Sequence, residues 1–298
     1  MLQKAEFNIN NKQYHLITDY KDNPDFRYSL NRLTHDIYGF DFEEWFQNGY
    51  WQDKYIPYSL FYENEVVANV SVNTMEFLIQ GNRVKPIQLG TVMTEKYHRN
   101  QGLIRILINS VLEDYEKNSD FIYLFANDSV LDFYPRFGFI KTPEYGCSKY
   151  FHRDKAAYDC RKLHMDYEPD RAILVRLIQN AYPNAKVAMI NNTELLMFYC
   201  GFFMKEFVYY IEALDTAVIA EYNGNQLVIQ DVFCEKPVDL DCVINAVMRI
   251  DTMEVHLGFT PSEDTSYTKE ILTKADTTLF IKGKNLLGNA RFPVLSHA

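Results

Sequence analysis

The spacing of apolar residues predicts an order of strands and helices along the chain. Every second residue over positions 66–72 is apolar, as in a strand that buries one face. Over Leu103–Tyr115 the apolar residues recur three and four positions apart, which indicates a helix with one buried stripe. A short polar loop separates this helix from an apolar run that ends at Thr94. The stretch 88–112 is therefore predicted to form a strand, a loop and a helix.

The same reasoning predicts further elements in the first half. Asp22, Asn23 and Pro24 form a helix start signal before an apolar stripe that runs through Ile37. Gly81 and Asn82 predict the turn that leads into the strand ending at Thr94. Short apolar or alternating runs predict further strands at residues 14–18, 58–62, 66–79, 121–125 and 145–151.

The second half of the chain repeats this layout. Asn223 and Gly224 are a strong hairpin signal between apolar runs at residues 217–222 and 226–229. A helical stripe at 240–248 and an apolar run at 255–259 follow, without a loop like the one in the first half. We therefore predict two related domains, 1–153 and 154–298, of which the second is degenerate.

Composition limits the kind of protein this is. The 298 residues are 47% hydrophobic and 23% charged, which is typical of a globular chain with room for two domains of roughly 150 residues. The formal charge is −10 and no run of lysines or arginines occurs, which argues against nucleic-acid or anionic-membrane partners. An excess of acid weakly favours a cationic acceptor.

Cysteine spacing and the start of the chain add two expectations. The cysteines at 147, 160, 200, 234 and 242 are odd in number and lack a CxxC pair, so neither a disulfide framework nor a metal site is indicated. The first residues contain no hydrophobic signal segment. We expect a soluble cytoplasmic protein with reduced thiols.

The loop in the stretch 88–112 is where an anion is expected to bind. The first amides of a helix have no partner within the helix and lie at the positive end of its dipole. Gly102 allows close approach of the backbone to a phosphate, and Arg99 adds a positive charge. A nucleotide P-loop needs GxxxxGK[ST] and a dinucleotide fingerprint needs GxGxxG, and neither pattern is present here.

Two motifs resemble those of the Gcn5-related N-acetyltransferase (GNAT) superfamily. Its pyrophosphate loop has the pattern Q/R-x-x-G-x-G/A, and residues 99–104 match it except that Ile104 replaces the small last residue. A later F-Y-x-x-x-G-F motif is matched by Phe133, Tyr134, Gly138 and Phe139. Residues 98–105 are also similar to the loop of one multidomain branch, that of the mycobacterial enhanced intracellular survival protein. Relatives there carry a third, sterol-carrier-like domain for which 298 residues leave no room, so the acceptor site and the oligomeric state are expected to differ.

The resemblance implies a fold, a co-substrate and site residues. The fold is α/β (α+β), with a mixed, largely antiparallel central sheet flanked by helices, followed by the degenerate second domain. The strand ending at Thr94 would be splayed from its neighbour, with coenzyme A in the gap and Tyr134 as general acid. The residues expected to contact acetyl-CoA are Val92, Met93, Thr94, Arg99, Asn100, Gln101, Gly102, Leu103, Ile104 and Asn127.

Each of these assignments has a structural alternative. Tyr134 is one of 22 tyrosines and would then simply pack a helix, Arg99 would be a solvated surface charge, and Asn127 would form a turn. The residues at 38–57, rich in Phe, Tyr and Trp, would form either a substrate surface or ordinary core. The sequence alone leaves both members of each pair open.

The activity implied is acetyl-CoA-dependent N-acetyl transfer to a primary amine, by direct attack in a ternary complex. The acceptor would be a small-molecule or peptide amine. The alternatives are a non-catalytic acyl-CoA-binding or regulatory protein and an acyltransferase for a longer acyl-CoA. Glu95, Asp128, an ordered water and the terminal carboxylate of Ala298 are left open as the general base. Cys147 as a nucleophile is disfavoured because no activating base lies near it in sequence.

Overall fold

A computed structural model describes residues 2–151 and 158–298. The described part of the first half forms ten strands and three α-helices. The helices are α1 (Pro24–Tyr38), α2 (Glu43–Gln47) and α3 (Leu103–Tyr115). The strands are β1 (Leu2–Ile9), β2 (Lys12–Thr18), β3 (Tyr55–Tyr62), β4 (Glu65–Thr74), β5 (Phe77–Ile79), β6 (Asn82–Val84), β7 (Ile87–Thr94), β8 (Phe121–Ala126), β9 (Ile140–Lys141) and β10 (Tyr145–Tyr150).

The described part of the second half adds eight strands and three α-helices. The helices are α4 (Glu168–Gln179), α5 (Thr193–Phe198) and α6 (Leu240–Val247). The strands are β11 (Arg161–Lys162), β12 (Val187–Met189), β13 (Val208–Ile211), β14 (Thr216–Asn223), β15 (Gln226–Cys234), β16 (Glu254–Leu257), β17 (Thr268–Ile271) and β18 (Thr278–Gly283). No helix among the residues described is both long and apolar enough to cross a membrane.

Local signals account for the ends of the first helix. The side chain of Asn23 accepts a hydrogen bond from the amide of Phe26 (3.3 Å), and Pro24 occupies the first turn. Gly39 ends the helix in the left-handed conformation at φ 78°. The predicted start at Asn23-Pro24 is therefore confirmed.

Two large sheets carry the fold, and each contains one parallel pair of strands. The first has the order β1-β2-β3-β4-β7-β8-β18-β9, with β7 and β8 parallel. The second has the order β11-β13-β14-β15-β16-β10-β17, with β15 and β16 parallel. All other neighbours in these two sheets are antiparallel. The predicted mixed, largely antiparallel sheet flanked by helices is confirmed.

The two halves exchange strands. β18, from the end of the chain, lies between β8 and β9 in the first sheet, and β10 lies between β16 and β17 in the second. The strand predicted at residues 145–151 is therefore present, but it pairs with strands of the second sheet. β12 adds a third link, because it pairs with β5 in a small sheet completed by β6. The predicted boundary at Arg153 lies outside the described residues.

Helices cover both faces of the first sheet. α3 packs Leu103, Leu107, Ile108 and Val111 against one face, as the sequence periodicity predicts. α1 and α2 cover part of the other face, where Met93 of β7 is buried. Strand β1 was not predicted, and it pairs with β2 through a turn in which Asn10 and Asn11 have φ of 52° and 62°.

Candidate active site

The parallel pair β7 and β8 separates part-way along its length. The two strands are paired only from Ile87 to Leu89 on β7 and from Ile122 to Leu124 on β8. Beyond Leu89, β7 continues to Thr94 with β4 as its partner. The expected splayed strand is therefore present, and the remaining part of β7 has an edge that β8 does not cover.

A β-bulge distorts β7 at the point of separation. Gly90 pairs with Ser71 and Met93 with Asn69, so that Thr91 and Val92 together face one residue of β4. Thr91 has φ 47°, a conformation that is strained for a β-branched residue. The side-chain amide of Asn69 donates to the carbonyl oxygen of Thr91 (2.9 Å) and holds the bulge in place.

The loop between β7 and α3 presents backbone to one side of this gap. Asn100 and Gly102 have φ of 61° and 79°, and Gly102 is the exposed N-cap residue of α3. Within the residues that the structure describes, no side chain caps α3 at Gly102, so a capping side chain does not use its first amides there. The exposed side chain of Arg99 donates from Nε to the carbonyl oxygen of Thr94 (3.2 Å), which ties the arginine to the end of β7.

A buried histidine supports this loop from behind. Nδ1 of His98 lies 2.9 Å from the hydroxyl oxygen of Tyr14, and the same hydroxyl lies 3.2 Å from Oε1 of Gln101. Burial lowers the pKa of His98, and the positive charge of Lys12 lowers it further. The loop conformation therefore depends on neutral contacts to β2 and not on an ion pair with it.

Tyr134 lies in the core of the first sheet. Its side chain is 4% exposed and packs against the rings of Phe139 and Phe280. Burial raises the pKa of Tyr134 well above its usual value, and Tyr38 adds a smaller contribution in the same direction. No pattern in the sequence selects Tyr38, whose hydroxyl donates to the carbonyl oxygen of Val92 on the separated part of β7 (2.9 Å).

Asn127 follows β8 and caps a short 3₁₀ helix. Its Oδ1 accepts hydrogen bonds from the amide (2.9 Å) and the hydroxyl (2.7 Å) of Ser129. This local use of Oδ1 agrees with the turn-forming alternative. A contact between Asn127 and a ligand stays a prediction.

A cavity of about 260 Å³ lies beside the bulge of β7. Its walls come from both halves of the chain, and most of them are aromatic. The lining residues are Phe40, Phe42, Trp45, Tyr55, Asn73, Thr91, Leu195, Phe198, Tyr199, Phe203, His297 and Ala298. Part of the aromatic segment 38–57 therefore lines a cavity, while other members such as Trp51 are buried in the core.

One part of the cavity wall is supported by a π-helix. α5 continues into a π-helical turn, Tyr199–Phe203, and both of the residues that bound this turn line the cavity. Such turns are rare and are often found at functional sites. The second half of the chain thus shapes the cavity directly.

The polar part of the wall is formed by β3, β4 and β7. The hydroxyl of Tyr55 lies 3.1 Å from Oγ1 of Thr91 and accepts a hydrogen bond from Ser71 (2.8 Å). Asn73 is 5% exposed, and its Nδ2 has no hydrogen-bond partner in the part of the chain that the structure describes. A buried donor without a partner is costly, and this one lies at a cavity wall.

The last residues of the sequence run along β8 into the same cavity. Phe292 stacks on Tyr123 with ring centroids 4.3 Å apart, and His297 stacks on Phe125 at 3.6 Å. Burial keeps the pKa of His297 well below its usual value, with Arg291 adding to the effect. Among the described residues, none is a hydrogen-bond partner of Nε2 of His297.

Ala298 lies against β7 at the same place. Its carbonyl carbon and oxygen occupy the space that a Cβ on residue 90 would need, so the close approach requires Gly90. The side-chain amide of Gln88, oriented to satisfy both of its groups, bonds to the main chain of Ser296 and Ala298 at 2.8 Å each. These contacts hold the end of the described chain at the cavity.

Both the sequence and the fold resemble those of known proteins. Residues 26–141 match the family model for an acetyltransferase (GNAT) domain. No match was found among curated proteins. Among solved structures, a probable N-acyltransferase from Enterococcus faecalis V583 is 13% identical with a TM-score of 0.61, and the alignment covers 90% of this chain and 71% of that one. The fold is that of the GNAT acetyltransferases.

Two further structures with this fold align over similar lengths. Eis1 from Mycobacterium abscessus is 15% identical with a TM-score of 0.57, and the alignment covers 90% of this chain and 72% of that one. A GCN5-related N-acetyltransferase from Kribbella flavida is 14% identical with a TM-score of 0.56, with 91% and 71% covered. Because these three structures are only 13–15% identical to this chain, their similarity to it shows a shared fold and no more.

The second sheet of this GNAT fold repeats the parallel pair but not the open gap. β15 and β16 are paired from Gln226 to Ile229, and β15 also contains a bulge, next to Asp231. Just beyond this paired stretch the two strands stay close together, because the amide of Gly258, which follows β16, donates to the carbonyl oxygen of Ile229 on β15 (2.7 Å). The amide of Tyr182 donates to the carbonyl oxygen of Cys234, the last residue of β15 (2.7 Å).

Glu95 and Asp128, which the sequence leaves open as the general base, are not among the residues that line the cavity. Glu95 accepts a hydrogen bond from the amide of Tyr97 (2.8 Å) and caps a 3₁₀ helix. Asp128 is exposed on the short helix that follows β8. Cys147 lies on β10 in the second sheet, where burial raises the pKa of its thiol. Of the sequence-based candidates for the base, the structure brings Ala298 to the cavity.

Proposed function

We propose that this protein is an acetyl-CoA-dependent N-acetyltransferase that transfers the acetyl group to a primary amine by direct attack in a ternary complex. The observation that supports it most is the separation of β7 from β8 beyond Leu89. It leaves a strand edge between the loop at Gly102 and the buried Tyr134, with a cavity on the other side of the bulge.

The residues around the gap fit coenzyme A. The amides at the start of α3, which lack a side-chain cap, and the exposed, left-handed Gly102 suit a pyrophosphate, and Arg99 adds a charged donor. Backbone groups of Val92, Met93 and Thr94 would contact the pantetheine arm. When bound, the co-substrate supplies an acetyl group activated as a thioester.

The chain supplies the groups that the reaction needs. The tetrahedral oxyanion requires donors that are already in place, for which the backbone amide near Met93 is our candidate. The departing thiolate requires a proton or a hydrogen bond. Because burial raises the pKa of Tyr134, its hydroxyl stays protonated at neutral pH and can supply either.

His297 is our candidate for the group that accepts the proton of the amine. His297 lines the cavity, its buried Nε2 has no partner within the described residues, and burial lowers the pKa of the ring, so that it is neutral before the reaction. Glu95 and Asp128 do not line the cavity. The sequence also leaves the carboxylate of Ala298 open as a base, and this residue lies at the same wall.

Thiol release from acetyl-CoA in the presence of a panel of primary amines tests the proposal. We expect Tyr134→Phe to lower kcat by roughly 10²-fold or more, since a positioned proton donor contributes about that much. We expect Arg99→Ala to raise KM for acetyl-CoA about 10-fold, as for a lost charge-assisted hydrogen bond. Exposed residues away from the gap provide matched controls, Tyr150→Phe on β10 and Arg83→Ala on β6.

Two results would contradict the proposal at different levels. Full activity in both test variants would remove Arg99 and Tyr134 from the site. A thermal shift with acetyl-CoA, without thiol release for any amine, would instead favour a non-catalytic acyl-CoA-binding protein.

A further inference from the structure

The cavity beside β7 has two walls of different chemistry. Asn73, Thr91 and His297 line the side formed by the sheet and the end of the chain. A second part of the wall is apolar and is formed by rings from the segment after α1 and from α5 with its π-helical turn. Those rings belong to Phe40, Phe42, Trp45, Phe198 and Phe203.

The rings of the apolar side contact one another and form a continuous surface. The ring of Phe203 lies 5.4 Å from those of Phe40 and Phe198, and the rings of Trp45 and Phe198 are 5.5 Å apart. Such a surface favours a flat apolar group over a flexible polar one.

The side chains that line the cavity include no carboxylate, ammonium or guanidinium group among the twelve described residues. A polycationic acceptor would lose its hydration there, with the main-chain carboxylate of Ala298 as the one anionic group among the described lining residues to replace it. An amine with a single nitrogen at the polar side and an apolar body avoids this cost.

Two residues that line the cavity each have a buried polar atom without a partner, which argues that the occupant carries a polar head. Nδ2 of Asn73 and Nε2 of His297 are both without a hydrogen-bond partner in the described chain. The alkyl tail of a long acyl group would leave both atoms unpaired, at a cost of about 1–3 kcal/mol each. A primary amine, by contrast, can donate to Nε2 of His297 once the ring turns this buried atom towards the cavity.

The size of the cavity limits the body of this amine. An apolar cavity of about 150 Å³ holds one benzene ring. The cavity here, of about 260 Å³, has room for one ring and a short linker.

We propose that this cavity is the acceptor subsite and that it takes a primary amine joined by a short linker to one aromatic ring. The proposal rests on the acetyltransferase function proposed above. In the transfer, the amine nitrogen bonds to the acetyl carbon and the carbon–sulfur bond breaks. The amine proton passes to Nε2 of His297 and the sulfur takes the proton of Tyr134, after which both side chains exchange protons with water.

Adjacent residues of the π-helical turn offer a matched pair of variants. Phe203 lines the cavity, whereas Phe202 does not, although their side chains are similarly exposed, at 44% and 47%. Neither is a core residue, so both alanine variants are expected to fold. Trp45 in the wall provides a binding signal that does not require catalysis, since its fluorescence should change when a ring enters the cavity.

The experiment titrates the whole protein with phenethylamine and with spermidine, first by tryptophan fluorescence and then by thiol release at saturating acetyl-CoA. We expect the kcat/KM for phenethylamine to exceed that for spermidine by roughly 100-fold. We expect Phe203→Ala to weaken phenethylamine binding about 10-fold and to lower the kcat/KM for this amine by the same factor. Phe202→Ala should leave both quantities unchanged.

The outcomes separate this inference from the proposed function. Thiol release with spermidine but not with phenethylamine would overturn the inference and support the acetyltransferase. Equal effects of the two phenylalanine variants on phenethylamine would also overturn it. Phe203→Ala could instead change the rate of thiol release from octanoyl-CoA and leave the kcat/KM for phenethylamine unchanged. That result would overturn the inference and make the cavity an acyl subsite. Phe203-dependent binding without thiol release would support the ligand class and contradict the proposed function.

Discussion

The exchange of β10 and β18 predicts that the two halves unfold together, and Phe280 allows a direct test. It lies on β18 in the second half of the chain, but its side chain is 2% exposed in the core of the first sheet. Its ring centroid is 5.9 Å from that of Tyr134. A shorter side chain at 280 should therefore destabilise the first half, although the change is made in the second.

The size of the effect follows from the burial of this ring. Replacing a buried phenylalanine by alanine costs about 3–5 kcal/mol, which is a large share of the stability of most domains. Phe280→Leu keeps most of the apolar volume and should cost about 1–1.5 kcal/mol. With a urea dependence of roughly 3 kcal/mol per molar, the unfolding midpoint should fall by about 0.4 M.

Two probes report on different parts of the molecule. Both tryptophans, Trp45 and Trp51, are in the first half, so their fluorescence follows the first half, whereas far-UV circular dichroism follows both sheets. We expect the two midpoints to coincide in the parent protein and to fall together in Phe280→Leu. Ile271→Ala, at a 58% exposed position of β17, should change the midpoint little.

A fluorescence midpoint that stays in place while the circular dichroism midpoint falls would refute the reasoning. It would mean that β18 is not part of the cooperative unit that contains the proposed active site. Two separate transitions in the parent protein would carry the same meaning.

Two more variants test the end of the chain. Gly90→Ala places a Cβ on the carbonyl group of Ala298, so we expect lower thermal stability, by about 1–3 kcal/mol, and slower acetyl transfer. Gly201→Ala is its control, because a Cβ there meets no atom within 4 Å, and equal effects of the two would contradict the assigned contact. The pKa of His297 is well below 6.5 in the folded protein, so below pH 6.5 the unfolded chain binds a proton that the folded chain does not. Stability should therefore fall as the pH drops below about 6.5, less steeply in His297→Gln than in His15→Gln, as measured by urea unfolding across this range.

Features that depend on neighbouring residues could be predicted from the sequence. The helix Leu103–Tyr115 has the predicted bounds, because its apolar spacing and the glycine before it act over a few residues. The hairpin at Asn223-Gly224 likewise forms between β14 and β15. Tyr134 was selected by a motif of seven neighbouring residues. Its side chain is buried in the core of the first sheet, and its catalytic role stays a prediction.

The strand exchange could not be predicted in the same way. The alternation of apolar residues shows that a segment forms a strand and which of its faces is buried, but not which strand becomes its neighbour. β10 follows the first half in sequence and pairs in the second sheet, whereas β18 does the reverse. Hydrogen bonding between strands far apart in sequence therefore decides the architecture, and no local pattern records it.

The cavity beside β7 depends on that exchange. Its walls combine the segment after α1, three strands of the first sheet, the π-helical turn and the last two residues, so no single stretch of sequence contains the site. β18 inserts beside β8, and the chain that leaves it runs back along β8 until Phe292 and His297 stack on Tyr123 and Phe125. β18, which joins the two halves, therefore also positions His297 at the gap between β7 and β8. A change that loosens β18 should therefore reduce acetyl transfer before it unfolds the protein, because the proposed proton acceptor would leave the cavity first.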